Sequence, residues 1–467
     1  LLQNIFKSKV FKNFSYLTIG SIISQALLLV TVLRITKFLS PSEYGNYTFI
    51  LSQGMLFHAI SDLGIKSTTI RAIARDSENT NNYIVNGAIL RLLTLLLFFI
   101  IYGTYNNFLG SLDNTGLSLV FIYGMVYSFF YLLEYVFLGY QKMLYPSIIK
   151  ILHSSVWFLI IMFLPQSYFS VNSLLGIFLV ISFFQVILLF VKVRKEQFLK
   201  GKVTNFIKGS KEMLLESWPY ITLMFLNLPF SHFANNFLDI NSSSEEIGFF
   251  NLSKKLLGPV EIIITFSLTA LFPNISQMFV KDKDKFLDLV KKGVVAFVLG
   301  IGILSFIFSL FSKEAILLLF SEQYLSTIKV VQLQVWFTFF HGINHLIAII
   351  FGASNFEKKL FHLSLINCII STPMLFIGSY YGAIGLSYGF VISFAIFEIY
   401  VWMQLKKTLN IQFKDDLKIW SIIVILFSIS FFLPFDTPIS LKFIIALVFL
   451  SSLWFVFGKQ IKSAIKK

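Results

Sequence analysis

Charge is what this chain lacks most. Only 13% of its 467 residues are Asp, Glu, Lys or Arg, where a soluble domain carries about 25%. Cysteine is nearly missing too. The single Cys368 excludes an intramolecular disulfide and any cysteine-built metal cluster. No glycine-rich nucleotide loop of the Walker A kind occurs, so ATP hydrolysis by this chain is not expected. No segment shows the alternating ten-residue pattern of a membrane barrel. What is abundant is apolar: 56% of residues are hydrophobic and 56 are Phe. That balance excludes an ordinary soluble globule, a disordered chain and a nucleic-acid binder that is basic throughout. The sequence describes a multi-spanning membrane protein.

A helix needs ~20 mostly apolar residues to cross ~30 Å of hydrocarbon. Cutting at polar and Gly/Pro-containing interruptions predicts fourteen such helices, near 14–36, 44–65, 84–105, 116–140, 145–165, 172–193, 217–241, 247–273, 288–312, 325–352, 359–380, 382–405, 417–434 and 440–458. The first is too long, and too soon followed by the second, to be a cleaved signal peptide. The net charge of +15 then reports orientation. With the N-terminus inside, 29 of 38 Lys/Arg fall in inner segments, three outside (Lys37, Lys313, Lys442) and six within spans. A miscounted helix would invert every later loop, so the positive-inside bias implies both termini in the cytoplasm. The basic charge needs no nucleic acid to explain it.

The longest polar interruption, 194–216, follows the sixth span on the inner side and is basic. It reads as a linker, either a plain connector or a stretch lying on the inner leaflet. The organisation expected is therefore a six-helix lobe over 1–193, the linker 194–216, a second six-helix lobe over 217–405, and two further helices within 406–467. An internal echo supports two lobes. Glu43, Gly45 and Tyr47 after the first span recur as Glu246, Gly248 and Phe250 after the seventh, at an offset of 203 residues. Leu174-Leu175-Gly176 entering span six is echoed by Ala383-Ile384-Gly385 entering span twelve. Such weak internal symmetry is how many transporters betray a duplicated helical unit.

Leu39-Ser40-Pro41-Ser42-Glu43-Tyr44-Gly45 resembles the L-x-P-x-x-[YF]-G signature of bacterial polysaccharide flippases. These translocate O-antigen and capsule repeat units and belong to the multidrug/oligosaccharidyl-lipid/polysaccharide exporter superfamily. Asp62-Leu63-Gly64 followed by Arg71 is similar to the family's D-[LF]-G…R stretch. Gly248-Phe249-Phe250, Phe272-Pro273, the Phe320 to Tyr324 segment and Gly382-Ala383-Ile384-Gly385 also fall where family members place similar residues. The resemblance covers nearly the whole chain and implies an all-α, MATE-like bundle in the bacterial inner membrane. It also implies a function: moving an undecaprenyl-diphosphate-linked oligosaccharide from the inner to the outer leaflet by alternating access. The partners implied are that lipid-linked oligosaccharide, the bilayer and other polysaccharide-assembly proteins, with no cofactor.

Such a substrate needs a polar, partly cationic surface inside an apolar bundle, because unpaired charge in hydrocarbon is costly. In the first half, Arg91, Lys150, Glu134 and Asp62 occupy the cytoplasmic third of their spans. Arg91 and Lys150 are placed to receive the diphosphate; alternatively Arg91 pairs with Glu134 and Lys150 with Asp62. In the second half Lys254, Lys255 and Lys329, set against Asp239, leave a cationic surplus suited to an anion, with Arg34 near the outer end of helix one on the same surface. Glu261 stands mid-span two residues after Pro259, where it is protonated, paired with a lysine from another helix or, with Asp239, part of an ion-coupling site. Asn227, Ser231 and Asn235 recur at i, i+4 and i+8 around Pro229, a polar stripe for a glycan-lined wall or for interhelical hydrogen bonds. Pro229 and Pro259 each free a backbone carbonyl and are candidate hinges. His341 and His345 share a helix face, but without an adjacent glutamate or cysteine no metal site is expected. Two rival functions remain open: a drug or cation antiporter of the same superfamily, whose cavity should be more acidic, and a membrane-embedded glycan polymerase or acyltransferase, which should carry a larger outer loop or catalytic cluster.

Overall fold

The computed structural model describes residues 9–203, 206–413, 416–434, 436–449 and 451, and among them every regular element is helical. In chain order these are α1 Lys9–Phe38, α2 Pro41–Asp62, α3 Ile65–Arg75, α4 Thr80–Leu109, α5 Asn114–Gly139, α6 Leu144–Phe163, α7 Val171–Lys195, α8 Phe206–Ser231 and α9 Ala234–Asn241. There follow α10 Ser244–Lys281, α11 Lys283–Leu310, α12 Ser312–Leu319, α13 Thr327–Ala353, α14 Glu357–Ser379, α15 Gly382–Leu409 and α16 Asp416–Phe432. A short apolar helix, α17 Ile439–Phe449, opens the fourteenth expected span, whose remainder lies largely outside the described residues. The protein is an all-α, polytopic membrane protein. Nine of the described helices are long and apolar enough to cross a bilayer by length and composition. The helices α2 and α8 fall outside that set because they carry polar residues along their length, and α16 because it has 17 residues.

Helix α4 shows why these segments belong in lipid. Leu93, Leu96, Leu97, Ile100 and Ile101 recur at helical spacing on one side and are all exposed. Arg91, Leu95, Tyr102 and Asn106 occupy the other side and are buried. Polar groups face in and apolar ones face out, the reverse of a soluble helix. A stripe of that kind is stable only against hydrocarbon.

The signature residues after α1 and α2 turn out to be end-caps. Ser40 caps α2 by accepting from the Glu43 amide at 3.3 Å, while Glu43 Oε2 accepts from the Ser40 amide at 2.8 Å. Pro41 sits in the first helical turn, where its missing N–H costs nothing. At the other end Leu63 and Gly64 both adopt left-handed backbone, φ 47° and 63°, which turns the chain into α3. A side chain at Gly64 would also stand 2.7 Å from the Tyr220 carbonyl carbon. The sequence there serves the turn.

By contacts the chain divides into two compact units, one ending at Gly248 and one starting at Phe249. This division differs from the lobes expected at 1–193 and 217–405. Both α8 and α9 go with the first unit, since α8 packs on α3 and α4. Thr68 and Ser217 hydroxyls meet at 2.7 Å, and Arg71 donates to the Tyr220 hydroxyl at 2.8 Å. Helix α8 is formed from Phe206 on, so much of the expected linker is helical. The second unit is built on a large apolar core that includes Val298, Trp336, Phe339, Leu405 and Ile423.

Candidate functional site

The charges expected within the first unit are ion-paired, but with exchanged partners. Arg91 is fully buried and pairs with Asp62, not Glu134. Tyr135 donates a second hydrogen bond to Asp62 at 3.0 Å and lays its ring 5.2 Å from the Arg91 guanidinium. Lys150 pairs with Glu134 at 2.6 Å and reaches over the rings of Phe130 and Tyr131. The exchange has a simple cause. Glu134 and Tyr135 are neighbours on α5 and point about 100° apart, so only one of them lies on the Arg91 side, and that one is Tyr135.

Arg34 is tied down as well. Its Nε donates to the Ile161 carbonyl at 3.1 Å, between the rings of Phe38 and Phe169. The expected polar stripe is broken: α8 ends at Ser231, two residues after Pro229, and α9 restarts at Ala234. Asn227 donates to the Leu223 carbonyl and Ser231 to the Asn227 carbonyl, each bonding back into its own helix. Asn235 is buried beyond the break, off the line that a continuous helix would have drawn. Its neighbour Asn236 instead makes a reciprocal amide pair with Gln53, both bonds 3.1 Å, and Tyr102 donates to the same Gln53 at 3.2 Å. Asp239 accepts from the amide and hydroxyl of Ser111, fastening the loop after α4.

The second unit holds its cations differently. Lys254 and Lys255 sit about ten residues into α10, and among the described residues neither has a carboxylate within ion-pair distance. Lys254 Nζ lies 5.5 Å from the Phe250 ring. Glu261 is seven residues further along the same face and, like His341, lies within coulombic reach of Lys254. At 1.5 Å per residue the two α10 side chains are separated by about 10 Å along the axis. The helix runs unbroken through Pro259. Lys329 stacks on Phe431 of α16 with Nζ 3.4 Å from the ring centroid. It is two residues into α13, so it stands nearer its helix end than Lys254 does.

Glu398 escaped the sequence reading. It lies near the middle of α15, 1% exposed, and neither carboxylate oxygen has a hydrogen-bond partner among the described residues. The expected surplus of three cations over Asp239 in this half therefore omitted a carboxylate. The signal was available, an acidic residue inside an apolar 28-residue helix.

The family model described as "Polysaccharide biosynthesis protein" matches residues 10–279. Among solved structures, the lipid II flippase MurJ in an inward closed conformation matches with TM-score 0.75 and 18% identity, covering 96% of this chain and 99% of that one. A Vibrio cholerae MATE transporter, VcmN, matches with TM-score 0.58 and 16% identity over 86% and 96% of the two chains. An inward-facing multidrug resistance MATE family transporter of the MOP superfamily gives 0.53 and 13% over 83% and 95%. These likenesses establish a shared fold of transporters. A comparison with curated proteins finds no match.

Proposed function

Because this chain belongs to the polysaccharide biosynthesis protein family, we propose that it flips an undecaprenyl-diphosphate-linked oligosaccharide repeat unit across the bacterial cytoplasmic membrane. Family and fold together support a flippase-type transporter. The finer reading has the substrate move from the inner to the outer leaflet by alternating access of two six-helix lobes, with both termini cytoplasmic.

The observation that carries the substrate reading is the contrast between the units. Arg91 and Lys150 have carboxylate partners, whereas Lys254 and Lys255 have none among the described residues. A lysine at mid-helix costs about 2.5–3.5 kcal/mol on insertion scales, and an anionic diphosphate offsets that cost when it binds. In this reading Lys254, Lys255 and Lys329 supply the positive potential, and Arg34, Arg91, Lys150, Asn227, Ser231 and Asn235 shape the rest of the path. Pro229, two residues before α8 ends, and Pro259 are the hinges. Coupling rests on Glu261, with Asp239 as a second carboxylate. An ion gradient is the simplest energy source for a sequence with no nucleotide loop, and a mid-membrane carboxylate exchanges an ion as access alternates.

Replacing Lys254, Lys255 and Lys329 together by Gln should abolish export of the lipid-linked oligosaccharide at unchanged membrane abundance, and replacement by Arg should restore part of it. Full export by the triple Gln variant would refute the site. Glu261→Gln should stop accumulation while substrate still binds, and Glu261→Asp should keep partial flux; normal flux in Glu261→Gln removes that residue from coupling. Reporter fusions at Ser210 and the C-terminus should read as cytoplasmic, and one at Asp113 as external.

A further inference from the structure

A cleft of about 120 Å³ opens on the first unit where α3, α4 and α8 meet, with the exposed side chains of Glu212 and Glu216 at its mouth. Its lining mixes polar side chains with Ala72 and Met213. From α8 come Glu212 and Glu216, from α4 Asn86, and from α3 Thr69. Asn86 and Thr69 are each 1% exposed, and the Asn86 Oδ1 and Thr69 Oγ1 atoms have no hydrogen-bond partner among the described residues. The Asn86 amide group is fixed from its other end, since its Nδ2 donates to Asn82 at 3.0 Å. Its carbonyl oxygen is therefore an acceptor presented without a donor. A buried polar atom left in that state costs about 1–3 kcal/mol.

The two carboxylates carry a second mismatch. Glu212 and Glu216 are four residues apart on one helix, which brings like charges side by side and destabilises the helix. Neither belongs to an ion pair among the described residues, although Lys208 lies one turn before Glu212. Asp76, Glu212 and Glu216 all lie within coulombic reach of Tyr83, which also lines the cleft. In a chain of net charge +15, the lining of this cleft holds two carboxylates and no Lys or Arg.

We propose that this cleft is a binding site for a hydrated divalent cation of the magnesium kind, held by Glu212 and Glu216 with Asn86 Oδ1 and Thr69 Oγ1. The donor set is all oxygen, without His or Cys, which suits Mg²⁺, Ca²⁺ or Mn²⁺ over softer metals. Mg²⁺ keeps several waters and is bound through one or two carboxylates, so two suffice. The space equals roughly four water volumes at ~30 Å³ each, enough for an ion with part of its water shell. The ion removes the Glu212–Glu216 repulsion and ties the start of α8 to α3 and α4. It rests on the first unit alone and stands apart from the substrate reading above.

The test uses the full-length protein in detergent, titrated with Mn²⁺ and followed by the electron paramagnetic resonance signal of the free ion. One saturable Mn²⁺ per chain, displaced by Mg²⁺, is expected, with a rise in melting temperature when Mg²⁺ is added. Glu212→Gln/Glu216→Gln should weaken Mn²⁺ binding by at least about tenfold, since even outer partners of a metal are worth 10–100-fold. Asn86→Asp, which adds a carboxylate where the amide oxygen stands, should tighten it, and Lys208→Gln/Lys211→Gln should leave a saturable site. Undiminished Mn²⁺ binding in the double Gln variant overturns the proposal. So does equal protection by ethanolamine, which would mean that the corner takes an ammonium group.

Discussion

Gly45 and Gly248, 203 positions apart, lie against each other backbone to backbone. A Cβ placed on Gly45 would collide with the Ser244 carbonyl and stand 3.0 Å from the Gly248 amide nitrogen. One placed on Gly248 would collide with the Pro41 carbonyl and stand 3.3 Å from the Gly45 nitrogen. Position 41 plus the same offset is 244, so each glycine faces the counterpart of the other's neighbour. The echo in the sequence is a contact in space.

Filling that contact should be costly. Gly45→Ala and Gly248→Ala should each destabilise the protein by about 1–3 kcal/mol, the usual penalty of overpacking, because the obstacle is backbone that cannot swing aside. Thermal unfolding in detergent checks this. Gly103→Ala is the control. Nothing lies within 4 Å of its Cβ position, so it should be neutral or gain up to about 1 kcal/mol from helix propensity.

Arg91→Met should cost about 3–5 kcal/mol by stranding Asp62 within the first unit. The double variant Arg91→Met/Asp62→Leu should recover most of that, since an apolar replacement of a buried pair is often neutral. Unfolding midpoints of the two variants decide the point. Export by the double variant, measured at equal abundance, then separates a packing role from a place on the substrate path.

Glu398 makes a sharper contrast. With both oxygens unpaired among the described residues, Glu398→Leu should stabilise the second unit by about 1–3 kcal/mol, the cost of an unsatisfied buried group. A more stable protein that no longer exports would identify the carboxyl as retained for transport. An unchanged or lower melting temperature would show that the side chain is satisfied in the folded protein.

At the end of α7, hydrogen bonds from Lys142 at 2.5 Å and Lys192 at 2.9 Å hold the Glu196 carboxyl down at about 2. A depressed pKa means that the stabilisation is present above the unfolded value of about 4.3 and is lost as pH falls through the folded one. The gain should be small, since the cluster is open to solvent and screened by salt. Glu196→Gln should flatten the pH dependence of unfolding between those two values, and the difference should shrink in high salt.

The helices were legible because hydropathy and length dictate them in a bilayer, although the expected start at 44 missed the first turn of α2, which Ser40, Pro41 and Glu43 build from polar and cyclic side chains. The first unit's ion pairs were legible only as a set. Charge balance requires that Arg91 and Lys150 find partners, but which carboxylate each takes depends on side-chain directions that spacing does not give. The stripe of Asn227, Ser231 and Asn235 misled for a local reason: helical periodicity was carried across Pro229, and the backbone stops two residues later. The Gln53–Asn236 pair was invisible because amides 183 residues apart carry no local pattern.

The last helices have a consequence for how the chain is made. Trp336, fully buried in the second unit, donates its indole N–H to Ser430 at 3.1 Å, and Lys329 rests on Phe431 in the same stretch of α16. The tryptophan therefore leaves the ribosome 94 residues ahead of the serine that receives it. Until α16 is inserted, the Trp336 indole of α13 lacks its Ser430 acceptor and Lys329 lacks the Phe431 ring. A stop codon between Leu409 and Ser430 removes both partners at once and should lower the amount of protein in the membrane, as an immunoblot against the full-length chain would show.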